Sequence, residues 1–316
     1  MNSIYDLTAE IADLSEQSAD ELRIDVGDDR RNLVLDFGVN VPGGLEAGLQ
    51  LAEMCLGGLA RVELQGTEPT CPMPHVFVQT DHPLAACLHS QYAGWKIATE
   101  KFFAMGSGPM RALAGQEDLF KEFPPPEADG LPPAVGILET DTLPTPDVFD
   151  ELRKQLGNER EIRLAVAPTS SPAGTLQVVA RSVETAMHKL LEIGFPIETV
   201  SSGTGLSPLP PVAQDDLAAI GRTNDSILYG TTVHLWVDCG DDVIEQFGPR
   251  TPSNSSDAHG RTFAELFQEA DCDFYAMDKL LFSPAVVWFH NLQTGRSFVF
   301  GKLVPELLRT SFGLPS

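Results

Sequence analysis

The amino-acid sequence predicts an α+β fold. Three observations carry that expectation: strand-like apolar segments recur along the chain, several adjoin as hairpin-like pairs, and helix-like segments stand apart from them. A doubly wound parallel sheet would instead alternate strand and helix regularly.

In order, residues 4–22 and 43–59 have helix-like apolar spacing, and residues 32–39 and 61–64 read as strands. Residues 75–80 form another strand, leading into Asp81-His82-Pro83. A helix is expected to start there and run towards Phe103, because proline is tolerated in a first turn. The stretch 123–146 holds seven prolines (124, 125, 126, 132, 133, 144 and 146) and is the best linker candidate. Residues 134–140 inside it nevertheless read as a buried strand. A short helix at 147–156 and a strand at 162–166 follow, then a long helix over about 175–193 with Gly194 as its C-cap. Further strands are expected at 226–229, 232–237, 285–289 and 297–300. No repeat or low-complexity tract interrupts the chain.

Composition excludes several function classes. The 316 residues include 21 Lys+Arg against 45 Asp+Glu, a formal net charge of −24. So acidic a surface repels phosphate backbones and anionic leaflets, which argues against nucleic-acid and membrane-surface partners. The start, MNSIYDLTAE, carries acid where a secretion signal needs basic residues before an apolar stretch. The longest apolar run, 280–289, is about half a membrane span and is broken by Ser283 and Pro284. A soluble, cytoplasmic protein is the expectation. The five cysteines, Cys55, Cys71, Cys87, Cys239 and Cys272, form no CxxC pair, and we read them as reduced, packed thiols.

The most informative stretch is Ala167-Pro-Thr-Ser-Ser-Pro-Ala-Gly and the helix that follows it. At about 100° per residue, Leu176, Val179, Val183, Met187 and Leu190 make an apolar stripe. Ser182, Thr185 and Lys189 fall on a mild outer face, and Gln177, Arg181, Glu184 and His188 line up on a third, polar one. An ordinary surface ion pair would share the Arg181–Glu184 spacing. Two features favour chemistry: the other faces are short of charge, and the preceding loop has the polar, glycine-containing make-up of a ligand-facing turn. In a cleft, Arg181 would keep Glu184 ionised against desolvation, and an ionised carboxylate holding a water is what general-base hydrolysis needs.

A second cluster spans Asp81 to Leu113 and contains Gly106-Ser-Gly-Pro ahead of Arg111. Neither it nor Gly203-Thr-Gly-Leu-Ser-Pro completes GxGxxG, so a nucleotide-binding reading is weak. His82 and His89 are too far apart to share a metal unaided, no HExxH or deaminase signature exists, and no GxSxG elbow supports a serine nucleophile. No metal site is expected.

Taken together, DHPLAACLHSQYAGWKI, FFAMGSGPMRALAG, APTSSPAGTLQVVARSVETAMHKL, GRTNDSILYG and DFYAMDKLLFSPA resemble, in order, the motifs of the methenyltetrahydromethanopterin cyclohydrolase family. The resemblance covers roughly residues 3–312; His259 departs from it at a position where the family has an aromatic residue, and the segment 123–133 matches poorly. It implies a cytoplasmic hydrolase of one-carbon metabolism without metal or redox cofactor, usually a homotrimer, each subunit two α+β lobes of mainly antiparallel sheet around a pterin pocket. Approximate lobes would be 1–123 and 147–316, joined by 124–146. The family's catalytic Arg and Glu fall on Arg181 and Glu184, with Glu184 as general base and Arg181 orienting it. Gln91, Trp95, Ser107, Arg111, Glu139, Thr169, Gln177, Asn224 and Asp225 are the candidate substrate-binding residues, being polar or aromatic within matched motifs. Two other readings stay open: a non-catalytic pterin-binding protein of the same fold, and a nicotinamide-linked dehydrogenase, which would need the missing dinucleotide fingerprint.

Overall fold

A computed structural model of the chain describes residues 3–28, 31–67, 71–92, 95–271, 273 and 276–315. In chain order the strands are β1 (Asp25–Asp28), β2 (Asn32–Asp36), β3 (Ala60–Gln65), β4 (His75–Thr80), β5 (Trp95–Ala98), β6 (Phe103–Ser107), β7 (Ala134–Glu139), β8 (Ile162–Ala167), β9 (Val200–Pro208), β10 (Thr232–Val237), β11 (Val286–Asn291) and β12 (Ser297–Gly301). The α-helices are α1 (Ile4–Gln17), α2 (Ala19–Leu22), α3 (Leu45–Cys55), α4 (Met110–Ala114), α5 (Leu119–Glu122), α6 (Pro146–Leu156), α7 (Pro172–Val179), α8 (Ser182–Ile193), α9 (Asp216–Asp225), α10 (Asp241–Phe247), α11 (Phe263–Glu269) and α12 (Pro305–Phe312). The strands form two six-stranded mixed sheets, β1-β2-β8-β7-β6-β5 and β12-β11-β10-β9-β4-β3, with packed helices. The class is α+β, as the segment pattern predicts.

The chain divides into two compact units, Met1–Arg61 with Ala85–Gln177 and Val62–Leu84 with Val178–Ser316. It passes between them at 61/62, 84/85 and 177/178, not in the Pro-rich stretch 124–146. The reason is β7, which lies inside that stretch and is hydrogen-bonded between β6 and β8.

In the first unit β2, β8 and β7 run parallel, with β8 in the middle. β7 and β8 are nearly continuous buried apolar runs, as parallel strands covered on both faces must be. Ala12 of α1 with Leu51 and Met54 of α3 packs against Leu33, Leu35 and Ile137. Val148, Phe149 and Leu152 of α6 pack with Leu138, Leu164 and Val166. The helix expected to reach Phe103 stops early: a π-helix over Leu84–Gln91 is followed by the β5–β6 hairpin, with Trp95 opposite Gly106. Cross-strand pairing decides here over helical spacing. Residues 93 and 94 of that expected helix lie outside the described residues.

In the second unit β10 and β11 alternate half-buried and buried residues, so one sheet face carries Val233, Leu235, Val237, Val287 and Phe289 into the core. A helical cluster of Phe263, Phe267, Leu308 and Phe312 gathers around Tyr229. Residues 226–229, expected as a strand, instead continue α9 as a π-helix over Ser226–Gly230. Their β-branched and aromatic content mimics a strand, but buried Tyr229 is turned into that cluster. Among the described residues no helix is long and apolar enough to cross a membrane.

Candidate active site

The long helix expected over 175–193 is two helices. α7 ends at Val179, and Arg181, at φ −81° and ψ 13°, caps α8. Its N–H reaches Val178 O at 3.1 Å, while its own carbonyl accepts the N–H of Thr185 at 2.8 Å and starts the next helix. A uniform 100° wheel does not carry across this break. Gln177 belongs to one helix, and Arg181 and Glu184 to the start of the other. The outer face fails too: Ser182 and Lys189 are fully buried. The Lys189 ammonium donates to Ser255 Oγ at 3.1 Å and to Leu280 O, and burial pulls its pKa down to about 8.

Arg181 and Glu184 are both buried, at 7% and 6% exposure. Glu184 is the third residue of α8, so the partial positive charge of the helix N-terminus favours its ionised carboxylate. The Gly203-Thr-Gly205 string, which superficially suggests a phosphate loop, has a different task. It lies in β9, where a Cβ on Gly205 would sit 2.1 Å from Ser182 Oγ, and one on Gly203 2.8 Å from Val183 Cγ1. These glycines let the first turn of α8 rest directly on the sheet. Gly205→Val is therefore expected to lift that turn, lowering stability by about 1–3 kcal/mol in a denaturant titration and reducing activity with it.

The first unit brings four of the sequence's candidates together around a residue not among them. Gln177 Nε2 donates to Glu139 Oε1 and to Cys55 Sγ, both at 3.4 Å. Cys55 Sγ lies 3.2 Å from Ser107 Oγ and 4.0 Å from the carbonyl of Gln91. Gln91, Ser107 and Gln177 are buried and Glu139 is half-buried. Cys55 reads from the sequence as a packed thiol, and a lone cysteine ending a helix carries no sign of polar company. With Cys71, Cys87 and Cys239 it is a buried free thiol; Cys272 lies outside the described residues.

Glu139 ends β7, at the carboxyl edge of the three parallel strands where open α/β sheets place ligands. The same edge holds Asp36, also unsuspected from the sequence. Its carboxylate accepts the N–H groups of Gly38, Val39 and Asn40 at 2.9, 2.6 and 2.9 Å. The turn it shapes approaches Ser171 so closely that a Cβ on Gly38 would lie 2.7 Å from that side chain. Ser171 Oγ in turn donates to Pro168 O and accepts the Gly174 N–H, fixing the loop before α7. Thr169 is buried in that loop, and its carbonyl accepts the Thr175 hydroxyl at 2.7 Å.

Other candidates are committed elsewhere. The Arg111 guanidinium is paired with Glu117, donates to Leu88 O and Ser90 O, and packs on the rings of Tyr92 and Phe120. Trp95 opens the β5–β6 hairpin and lines a shallow depression with Lys96, Glu151 and Gln155. The Asn224 amide donates to Ile220 O of its own helix. Asp225 Oδ1 accepts the N–H of Phe263 at 2.7 Å, capping α11. His259, where the family pattern has an aromatic residue, packs its ring 5.0 Å from that of Tyr229. Among the described residues no three His, Cys, Asp or Glu side chains converge as a metal-binding group.

Comparison with known proteins matches the amino-acid sequence of this chain to one family along nearly its whole length. The cyclohydrolase (MCH) family model covers residues 3–312. A methenyltetrahydromethanopterin cyclohydrolase of Rhodopirellula baltica is 48% identical over 286 residues, 89% of this chain and 86% of that protein. One from Methylobacillus flagellatus is 43% identical over 282 residues, with the same coverage of 89% and 86%. One from Methanospirillum hungatei is 39% identical over 326 residues, 99% of each chain. The resemblance carried by the five motifs is thereby confirmed, and this chain belongs to the cyclohydrolase (MCH) family.

Proposed function

We infer that this chain hydrolyses the cyclic amidinium of a methenyltetrahydromethanopterin-type carrier to the formyl compound. The observation that carries the reading is the buried Glu184 in the first turn of α8, three residues after Arg181, in a chain of this family. The carbon under attack is already cationic, so the chemistry asks for a held carrier, one placed water and a base. Water adds to the methenyl carbon while Glu184 takes its proton. Cleavage of one C–N bond then leaves a formyl group on one nitrogen and a proton on the other. Arg181 orients Glu184. The buried amide, thiol and hydroxyl of Gln177, Cys55 and Ser107, with the half-buried carboxylate of Glu139, offer the paired donors and acceptors that a pterin edge requires. We assign them to holding the carrier, with Gln91.

The enzyme works in this reading without a resident metal or redox cofactor, as a cytoplasmic homotrimer. Prolonged dialysis against EDTA is expected to leave activity unchanged; loss restored by a divalent cation would overturn the metal-free part. The function itself is tested by following the absorbance of the methenyl compound with no nicotinamide present. Steady loss supports hydrolysis. Binding without loss would make the chain a pterin-binding protein, and loss only with nicotinamide would point to a dehydrogenase.

A further inference from the structure

Hydrolysis of a cyclic amidinium releases a proton. The substrate cation and water become a neutral formyl compound with one of the water's hydrogens on the freed nitrogen, and the other must leave as H⁺. Glu184, which takes it, is buried. A base so placed has to hand its proton on before it can serve again.

Most other polar side chains of α8 are engaged. Ser182 is fully buried against Gly205 of β9. The Thr185 hydroxyl donates to Arg181 O at 2.6 Å, and the Lys189 ammonium to Ser255 and Leu280. His188 and Glu192 remain, four and eight residues after Glu184 within the same helix. Residues four apart on a helix are neighbours, about 5–6 Å between Cβ atoms, a gap that an imidazole closes directly or through one water. His188 Nε2 lies 3.6 Å from Glu192 Oε1, and the exposed fraction of the side chain rises from 17% at His188 to 33% at Glu192. The three residues step from the buried base to the surface. His188, with Lys279 beyond it, holds the Glu192 carboxyl below the usual carboxylate range against the opposing effect of burial. An ionised Glu192 favours a charged imidazole beside it, and histidine is the side chain that most readily gains and loses a proton near neutral pH.

We propose that His188 receives the proton from Glu184 and releases it to water beside Glu192. The proton leaves the Glu184 carboxyl, binds one imidazole nitrogen and departs from the other, so the carboxylate and the neutral ring are both regenerated. The inference rests on the hydrolysis proposed above, with Glu184 as its base. The test is steady-state hydrolysis by the wild type, His188→Ala and His188→Gln, each checked for folding by far-UV circular dichroism, with and without added imidazole at constant pH and ionic strength. Both variants are expected to lose about 10-fold or more in kcat with KM little changed, since only the exit of the proton is impaired. Imidazole is expected to restore turnover of His188→Ala as its concentration rises and to leave the wild type unchanged, which a merely structural role does not predict. His188→Gln keeps a hydrogen-bonding side chain beside Glu192 but cannot carry a proton. It decides the matter if His188→Ala does not fold: a kcat that falls and recovers with rising buffer concentration supports the relay. Wild-type kcat in a folded variant, or a loss that no added base restores, overturns the relay and leaves the hydrolysis standing. A wild type that does not hydrolyse the methenyl compound overturns the hydrolysis reading, and the relay with it.

Discussion

Glu184→Gln is expected to lower turnover by about 10²–10⁴-fold with substrate binding changed far less. The substitution keeps the size of the side chain and most of its hydrogen bonding. It removes the oxygen basic enough to accept the proton of an attacking water. Its place in the fold sharpens the expectation, because Glu184 sits in the first turn of α8, where the helix dipole favours the anion that a base must be. Gln at that position loses this advantage without disturbing the turn, which is set by Arg181 and by β9 beneath it. Initial rates from the methenyl absorbance, taken over a range of substrate concentrations, separate kcat from KM. Near-native turnover would place the base elsewhere, and Glu139 is then the carboxylate to substitute. Arg181→Gln completes the test: a fall in kcat fits a residue that orients the base, whereas a rise in KM alone would make Arg181 a substrate contact.

Much of the fold is legible because apolar periodicity is a local property. Strands β2, β4, β7, β8, β10, β11 and β12 fall where alternation or a short apolar run places them. Errors arise where a distant partner decides. The β5–β6 hairpin has helical spacing in isolation and becomes strand through pairing across the turn. β9 escapes a reading by propensity, because its glycines and serines are poor strand formers; its neighbours β4 and β10 and the approach of α8 make it a strand. The break at Arg181 is silent in the sequence, since neither glycine nor proline marks it. A wheel drawn through it still gathers Arg181 and Glu184, which are close enough in sequence to share a turn, but misplaces Ser182 and Lys189.

The candidate site is legible in the same proportion. Gln177, Glu139, Ser107 and Gln91 come together, although they are drawn from four elements. What composition cannot convey is which polar side chains the fold has already engaged. Arg111 looks like an anion ligand in its Gly-Ser-Gly-Pro context, yet Glu117, six residues on, neutralises it. Cys55 looks inert, yet it touches both Gln177 and Ser107. Both outcomes depend on side-chain distances of about 3 Å that no spacing rule encodes.

Asp225→Asn is expected to make the protein more stable at pH 8 and to lose that advantage as pH falls to 4. Asp225 is 1% exposed, and its carboxylate accepts the first amide of α11. Burial nevertheless raises its pKa from 3.8 to about 7, against the opposing pull of the Ser311 hydroxyl and the Phe263 amide. One helix-terminal amide and a hydroxyl do not replace the water that a carboxylate loses in an apolar cluster. A group whose folded pKa is raised gives stability that is complete below its unfolded pKa and lost as pH rises through its folded pKa. For Asp225 that window is about pH 4 to 7, and the full change is about 4 kcal/mol at 1.36 kcal/mol per pH unit. An asparagine amide keeps the acceptor for the Phe263 N–H and has no charge to desolvate, so the dependence vanishes in the variant. Denaturant midpoints of both proteins between pH 4 and 8 measure it as a gap that widens with pH in favour of the variant. A gap that stays constant with pH would mean that Asp225 is not carrying a desolvated charge. If Asp225→Asn stabilises the fold but slows turnover, the carboxylate is retained for catalysis at a cost in stability, which would restore Asp225 to the site where the sequence places it.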